Sequence, residues 1–317
     1  MRRAVLAVLA VVLTSYACGG SEPEGPRTLR FALIPTALDI PVFDYANKGA
    51  QRKAAELGNV EVIYRGPDRA DELKQKEILE SFISQQVDGI AISVLNAEFL
   101  SSTIDRAIDA GIPVVTWDSD APASKRIAFY GVDDYRSGQI MGEQAAALLD
   151  GKGTVAFITS LGANNLQRRL DGVRDVLAKH PGITVVETYD VKEDSVRTAE
   201  VIASGTNRYP NLGAWISVGG WPVFTQNALE PVPATTKVIS FDTNPPAPDL
   251  IKAGKAHVLI GQKYFGWGSE TIQLLHDIVV NDRRPATPII DSGVDVVTAA
   301  NVDEYMAQWK KMESGGQ

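Results

Sequence analysis

Four apolar stretches in the first half of the chain return, in the same order, 124 residues later. At that shift "LRFALIP" (Leu29–Pro35) overlaps "TVAFITS" (Thr154–Ser160), and "VEVIY" (Val60–Tyr64) falls within "ITVVET" (Ile183–Thr188). Ile90-Ala91-Ile92-Ser93 falls on Ala214-Trp215-Ile216-Ser217, and "VVTWD" on "VISFD", so that Asp118 meets Asp242. Helical patterns separate these runs. Asp44–Leu57 stops at Gly58, Asp71–Gln86 places Ile78, Leu79, Phe82 and Ile83 on one face, and Glu98–Ala110 follows; the second half answers with Asn165–Lys179 and Ser195–Ser204. Short strands alternating with helices of this length form βαβ units around a parallel sheet. One register across the halves therefore predicts two α/β domains of one topology.

A chain of 317 residues, 44 % hydrophobic, can build two cores. Its 39 acidic against 31 basic residues give −8, with no basic run, which argues against a nucleic-acid partner. Met1-Arg2-Arg3 followed by the apolar Ala4–Leu13 has the order of an export signal and is too short for an ordinary membrane span. Cys18 is the only cysteine, so no internal disulfide and no thiolate metal site is available. "SYAC" resembles a bacterial lipoprotein signal, although Ser15 stands where that motif usually has Leu. The resemblance implies lipidation of Cys18, with residues 1–27 as signal and tether and the mature chain in the periplasm or on the cell surface.

Ligands of open parallel sheets bind beyond the carboxyl ends of the strands, where Asp118 and Asp242 fall. An acid pair also suits a glycosidase. Asp120, however, reads as a turn cap, and His180, His257 and His276 read as surface or core residues. Neither a nucleophile elbow, a phosphate loop nor a dinucleotide fingerprint occurs, and the Gly219-Gly220 pair is weak evidence for phosphate. No enzyme, metal or cofactor is expected. A sugar instead wants aromatic faces for its C–H groups and planar polar partners for its hydroxyls. Phe43, Trp117, Trp221 and Tyr264 are candidates for the first; Asp118, Asn164, Asn165, Arg169, Asp242, Asn244 and Gln262 for the second. Trp117 also fits a core position, and helix geometry alone leaves open whether Arg168 or Arg169 points inward.

The segments "PVFDYANKGAQRKAAELG", "QQVDGIAIS", "AIDAGIPVVTWDSDAP", "YGVDDYRSGQIMG", "VISFDTNP" and "AHVLIGQ" cover nearly the whole mature chain. Together they resemble the type I periplasmic sugar-binding proteins of ABC importers, of the ribose-, rhamnose- and autoinducer-2-binding kind. That resemblance implies two similar three-layer αβα domains with parallel sheets, joined by a three-segment hinge near Asp133, Lys263 and Asp291. Residues 28–133 with 263–291 would form the first domain, and 134–262 with 292–317 the second. It also implies a ligand site made of Asp39, Phe43, Ser93, Trp117, Asp118, Asn165, Arg169, Trp221, Asp242 and Gln262, with Asp39 in the polar role because Ile40 stands at the usual polar position. Trp267 is expected in interdomain packing. The partners implied are a small sugar or polyol and a membrane permease, bound by a monomer. A sensory protein that docks on a chemoreceptor or histidine kinase would use the same pocket. LacI-type repressors share the architecture but carry a DNA-binding helix-turn-helix, for which this amino terminus has no counterpart.

Overall fold

The computed structural model describes residues 27–315; Cys18 and the export signal lie outside the described residues. In the first half, β1 (Leu29–Ile34), α1 (Val42–Leu57), β2 (Val60–Tyr64), α2 (Glu72–Ser84), β3 (Gly89–Ile92), α3 (Ala97–Asp109), β4 (Val114–Trp117) and β5 (Ala128–Gly131) alternate. Helix α4 (Asp134–Leu148) leads into β6 (Lys152–Thr159), α5 (Asn164–Leu177), β7 (Gly182–Asp190), α6 (Ser195–Arg208) and β8 (Ala214–Ser217). After these come α7 (Trp221–Phe224), β9 (Lys237–Phe241), α8 (Ala247–Lys252), β10 (Val258–Gly261) and α9 (Tyr264–Asn281). The chain ends with β11 (Ile289–Asp291), β12 (Asp295–Val297) and α10 (Val302–Glu313). No described helix is long and apolar enough to cross a membrane.

Two six-stranded sheets result, ordered β11-β5-β4-β3-β1-β2 and β12-β10-β9-β8-β6-β7. Every pairing is parallel except β10 with β12. Parallel strands covered on both faces read as continuous apolar runs. In β1, Phe31 and Leu33 belong to one core cluster with Val42, Phe43 and Ala46 of α1. Ala32 and Ile34 belong to the other, with Ile78, Leu79 and Phe82 of α2 and Leu100 and Ile104 of α3. Side chains that alternate along a strand thus satisfy two helical layers at once. Asp71, Asn96, Asp133 and Asp194 cap α2, α3, α4 and α6 through backbone N–H groups, and Gly58 ends α1 at φ 76.

The repeat holds with two local corrections: the second strands begin offset by 123 residues and regain 124 past the bulge in β7 opposite Val155 and Ala156, and the third strands shift the other way. Ser93 donates its N–H to the Ile34 carbonyl, as Val218 does to that of Ile158, so the third strands are offset by 125 residues. Ser93 is therefore the counterpart of Val218, and the 124 spacing survives around Asp118 and Asp242. The chain passes from the first sheet to the second through α4, back through α9, and across again between β11 and β12.

Candidate ligand-binding cleft

A cavity of about 510 Å³, counting space open to solvent, lies where the carboxyl edges of the two sheets face each other. Its first wall comes from the segments after β1 (Thr36, Ile40, Val42, Phe43), β3 (Val94, Leu95) and β4 (Asp118, Ser119). The second wall comes from those after β6 (Asn165, Leu166, Arg169), β7 (Glu193), β8 (Gly219, Gly220, Trp221, Phe224), β9 (Asp242) and β10 (Gln262). Both sheets have the strand order whose crevice lies beside the first strand.

The paired aspartates share a backbone conformation as well as a place in the repeat. Asp118 has φ 59 and Asp242 φ 72, in the left-handed region that non-glycine residues seldom occupy. Asp118 donates its N–H to the Tyr130 carbonyl at 3.1 Å, and Asp242 to that of Ile260 at 2.9 Å. A 2.6 Å bond from the Ser119 N–H to the Trp117 carbonyl closes a three-residue turn with Asp118 at its apex. Strain of this kind persists where surrounding bonds over-determine it, commonly at functional sites.

Arg169 organises the charges. Its Nε donates to Asp134 Oδ1 at 2.8 Å, one Nη to the Val218 carbonyl at 3.2 Å, and the other to Gln262 Oε1 at 3.2 Å. Its guanidinium lies over the Phe241 ring, 3.8 Å from the centroid. Gln262 passes the connection on, donating from Nε2 to Asp242 Oδ1 at 3.2 Å, where the Tyr264 hydroxyl also donates at 3.0 Å. Asp118 accepts from the Ser93 hydroxyl at 3.0 Å. Burial pushes the Asp118 carboxyl up to about 7; the positive charge of Arg169 opposes this, while Asp134 and Asp242 add to it. Asp242 is also raised, by burial first, against the pull of Arg169, Gln262 and Tyr264. For Asp134, burial pushes the pKa up and the ion pair with Arg169 pulls it back. With three carboxylates beside one guanidinium and two side-chain amides in its lining, the cleft is matched to a ligand that brings hydrogen-bond donors and can also accept.

The apolar part of the wall is equally constrained. Phe43 meets Trp117 edge-on at 5.4 Å between centroids and Trp267 at 6.0 Å. In "SVGGW", a Cβ on Gly219 would collide with the Trp221 ring, and one on Gly220 with Asp242 Oδ2 and the Phe224 ring. The pair of glycines is needed so that Trp221 and Asp242 can both approach the cavity, which accounts for it without a phosphate.

Of the expected site residues, the structure brings Phe43, Asp118, Asn165, Arg169, Trp221, Asp242 and Gln262 to one cavity. Three others do not line it. Asp39 is exposed on the loop after β1, because Ile40 turns inward in its place. Ser93 is fully buried behind Asp118 and holds that carboxylate. Trp117 is fully buried among Phe43 and Trp267, since strand alternation directs it to the helical layer and Asp118 away from it. Trp267 itself lines the cavity, contrary to expectation. Tyr264 and Asn244 are buried outside it, whereas Arg169 points inward and Arg168 stays solvent-facing near Asp133. Asp120 is held by Arg126 through two 2.6 Å bonds, by the Thr116 hydroxyl at 2.6 Å and by the Ala121 N–H, and takes no part in the cleft. Glu193 and Thr36 are among the polar wall residues that sequence reasoning missed. Neither sits in a periodic pattern or a motif, and only loop geometry brings them in.

The model of the periplasmic binding protein domain matches residues 31–282. The xylose/arabinose-binding protein XylF of Sulfolobus acidocaldarius is 26 % identical over 306 residues, covering 90 % of this chain and 75 % of its own length. An ABC transporter solute-binding protein from Burkholderia graminis, solved in complex with D-arabinose, superposes with a TM-score of 0.82 at 34 % identity, over 89 % of this chain and 99 % of that one. The arabinose-binding protein AraP of Geobacillus stearothermophilus gives 0.71 at 30 % identity, over 88 % and 99 %. With the matched span covering most of its length and both sheets in place, the chain belongs to the periplasmic binding protein family.

Proposed function

We propose that the chain is the extracytoplasmic sugar-binding component of an ABC importer and that it closes on a monosaccharide, in the first instance a pentose. The observation that carries this reading is the cleft itself: two strand-end aspartates, Asp118 and Asp242, converge from different sheets on one cavity with Arg169, Asn165 and Gln262 beside the rings of Phe43 and Trp221. The carboxylates accept from sugar hydroxyls, the guanidinium and amides donate to them, and the rings cover the C–H faces. Proton transfer has no part in such a grip. The named ligands of the similar proteins, arabinose and xylose, support a pentose.

Closure is a hinge motion of the two domains, 28–133 with 263–291 against 134–262 with 292–317, about the three crossings. The closed form, a monomer, docks on a membrane permease, and lipid on Cys18 tethers it outside the cytoplasm. The test is thermal melting of the protein against pentoses, hexoses, deoxy sugars and polyols. A rise in Tm with D-arabinose or D-xylose that grows with concentration is expected of a ligand that binds only the folded state. No shift with any sugar or polyol overturns the reading.

A further inference from the structure

Glu193 stands in the loop between β7 and α6 and lines the cavity from the second domain. Among the described residues its side chain is in no hydrogen bond or ion pair; burial raises its pKa, and Asp118 and then Asp39, from the facing domain, raise it further. Its backbone is the least expected feature of the cleft. Lys192 and Glu193 have φ 52 and 55 in succession, a conformation suited to Gly or Asn and poorly to a long side chain.

The surrounding bonds impose it. The Val191 N–H is tied to the Thr159 carbonyl at 2.8 Å, and Asp190 Oδ1 accepts from the N–H groups of Leu161 at 3.2 Å and Lys192 at 3.1 Å. On the other side, Asp194 N–H returns to the Val191 carbonyl at 3.0 Å while its side chain caps α6 at the Arg197 N–H, 2.7 Å. The loop is thus clamped at both ends, and Glu193 is turned into the cleft. All three carboxylates that line the cavity, those of Asp118, Glu193 and Asp242, are held at positive φ. Of the three, only Glu193 lacks a donor among the described residues.

We propose that Glu193 is a specificity-determining residue of this cleft, the second domain's acceptor for a ligand hydroxyl on the side of the sugar that Asp118 also faces. The inference rests on the sugar-binding reading and deepens it. Two carboxylates from opposite domains repel one another across the cleft and are reconciled by a ligand presenting neighbouring hydroxyl donors. Discrimination follows, because a sugar lacking the facing hydroxyl leaves Glu193 unpaired on closure.

The test is titration calorimetry of wild type, Glu193→Gln and Glu193→Asp against a sugar that wild type binds and each of its monodeoxy derivatives. Glu193→Gln is expected to weaken the parent sugar at least tenfold. One deoxy derivative, severely weakened in wild type, is expected to lose at most twofold relative to the parent sugar in the variant. Glu193→Asp, which keeps the charge, is expected to retain the wild-type preference among the derivatives at reduced affinity. Parent affinity within twofold of wild type in Glu193→Gln overturns the proposal. So does an equal loss for every derivative, which is the signature of a merely distorted loop. Wild type that binds no sugar overturns the sugar reading and this inference with it, and that failure shows before any substitution is made.

Discussion

Asp118 and Arg169 face one cavity from its two walls, yet their substitutions are expected to fail differently. Asp118→Asn keeps shape and removes a charge that burial already disfavours. The unliganded Tm should therefore hold or rise, while loss of charged hydrogen bonds worth about 1.5–3 kcal/mol weakens sugar binding roughly 10- to 100-fold. Arg169→Ala strands Asp134, whose side chain is only 8 % exposed, without its cation. Breaking a buried pair on one side costs about 3–5 kcal/mol, so this variant should lose stability first and binding as a consequence. Denaturant unfolding beside calorimetry separates the two. Asp118 was legible from its place at a strand end. That Arg169 rather than Arg168 reaches inward was not, because neighbouring residues on a helix differ by about 100° and only the packing partner decides between them.

Helix α5 carries Arg169 and Asn165, and its position is set by how closely α4 approaches it. A Cβ on Gly138 of α4 would collide with the Arg169 carbonyl oxygen, and one on Gly172 of α5 with that of Tyr135. Gly138→Ala is expected to cost about 1–3 kcal/mol through overpacking against backbone that cannot yield. It should also weaken sugar binding, since the displaced turn is the one bearing the guanidinium. A destabilised variant that binds with wild-type affinity would show that α5 recovers its place on closure. Apolar spacing located α5 in the sequence, but nothing in that spacing distinguishes a glycine at a helix crossing from one on a surface.

At the scale of the whole molecule, the cleft between the sheets gathers three carboxylates about one guanidinium. Asp118 is raised from 3.8 to about 7 and Glu193 from 4.5 to about 7, so both bind protons more readily folded than unfolded. Their contribution to stability is full below about pH 4 and is lost as pH rises through about 7. Charges facing them are those of Arg169, Asp134, Asp242 and Asp39. The unliganded protein is expected to melt higher at pH 5 than at pH 8, and a double Asp118→Asn, Glu193→Gln variant to lose much of that difference. Sugar hydroxyls donate to the ionised carboxylates and favour that form, so the ligand-induced rise in Tm should be larger at pH 8. Melts with and without sugar at both pH values check the sign.

By itself the sequence determined the alternation of strands and helices, the repeat that makes two sheets of one topology, and the strand-end placement of Asp118 and Asp242. These follow from the periods of apolar residues and from where each run stops, which are properties of a short stretch of chain. Only the tertiary structure decided that Trp117 is core, that Asp120 belongs to Arg126, that the third strands are offset by 125 and that Glu193 faces the cleft. Each of these depends on which partner the packed fold places beside a residue, or on how a strand pairs with its neighbours in the sheet. Neither leaves a periodic trace among neighbouring residues.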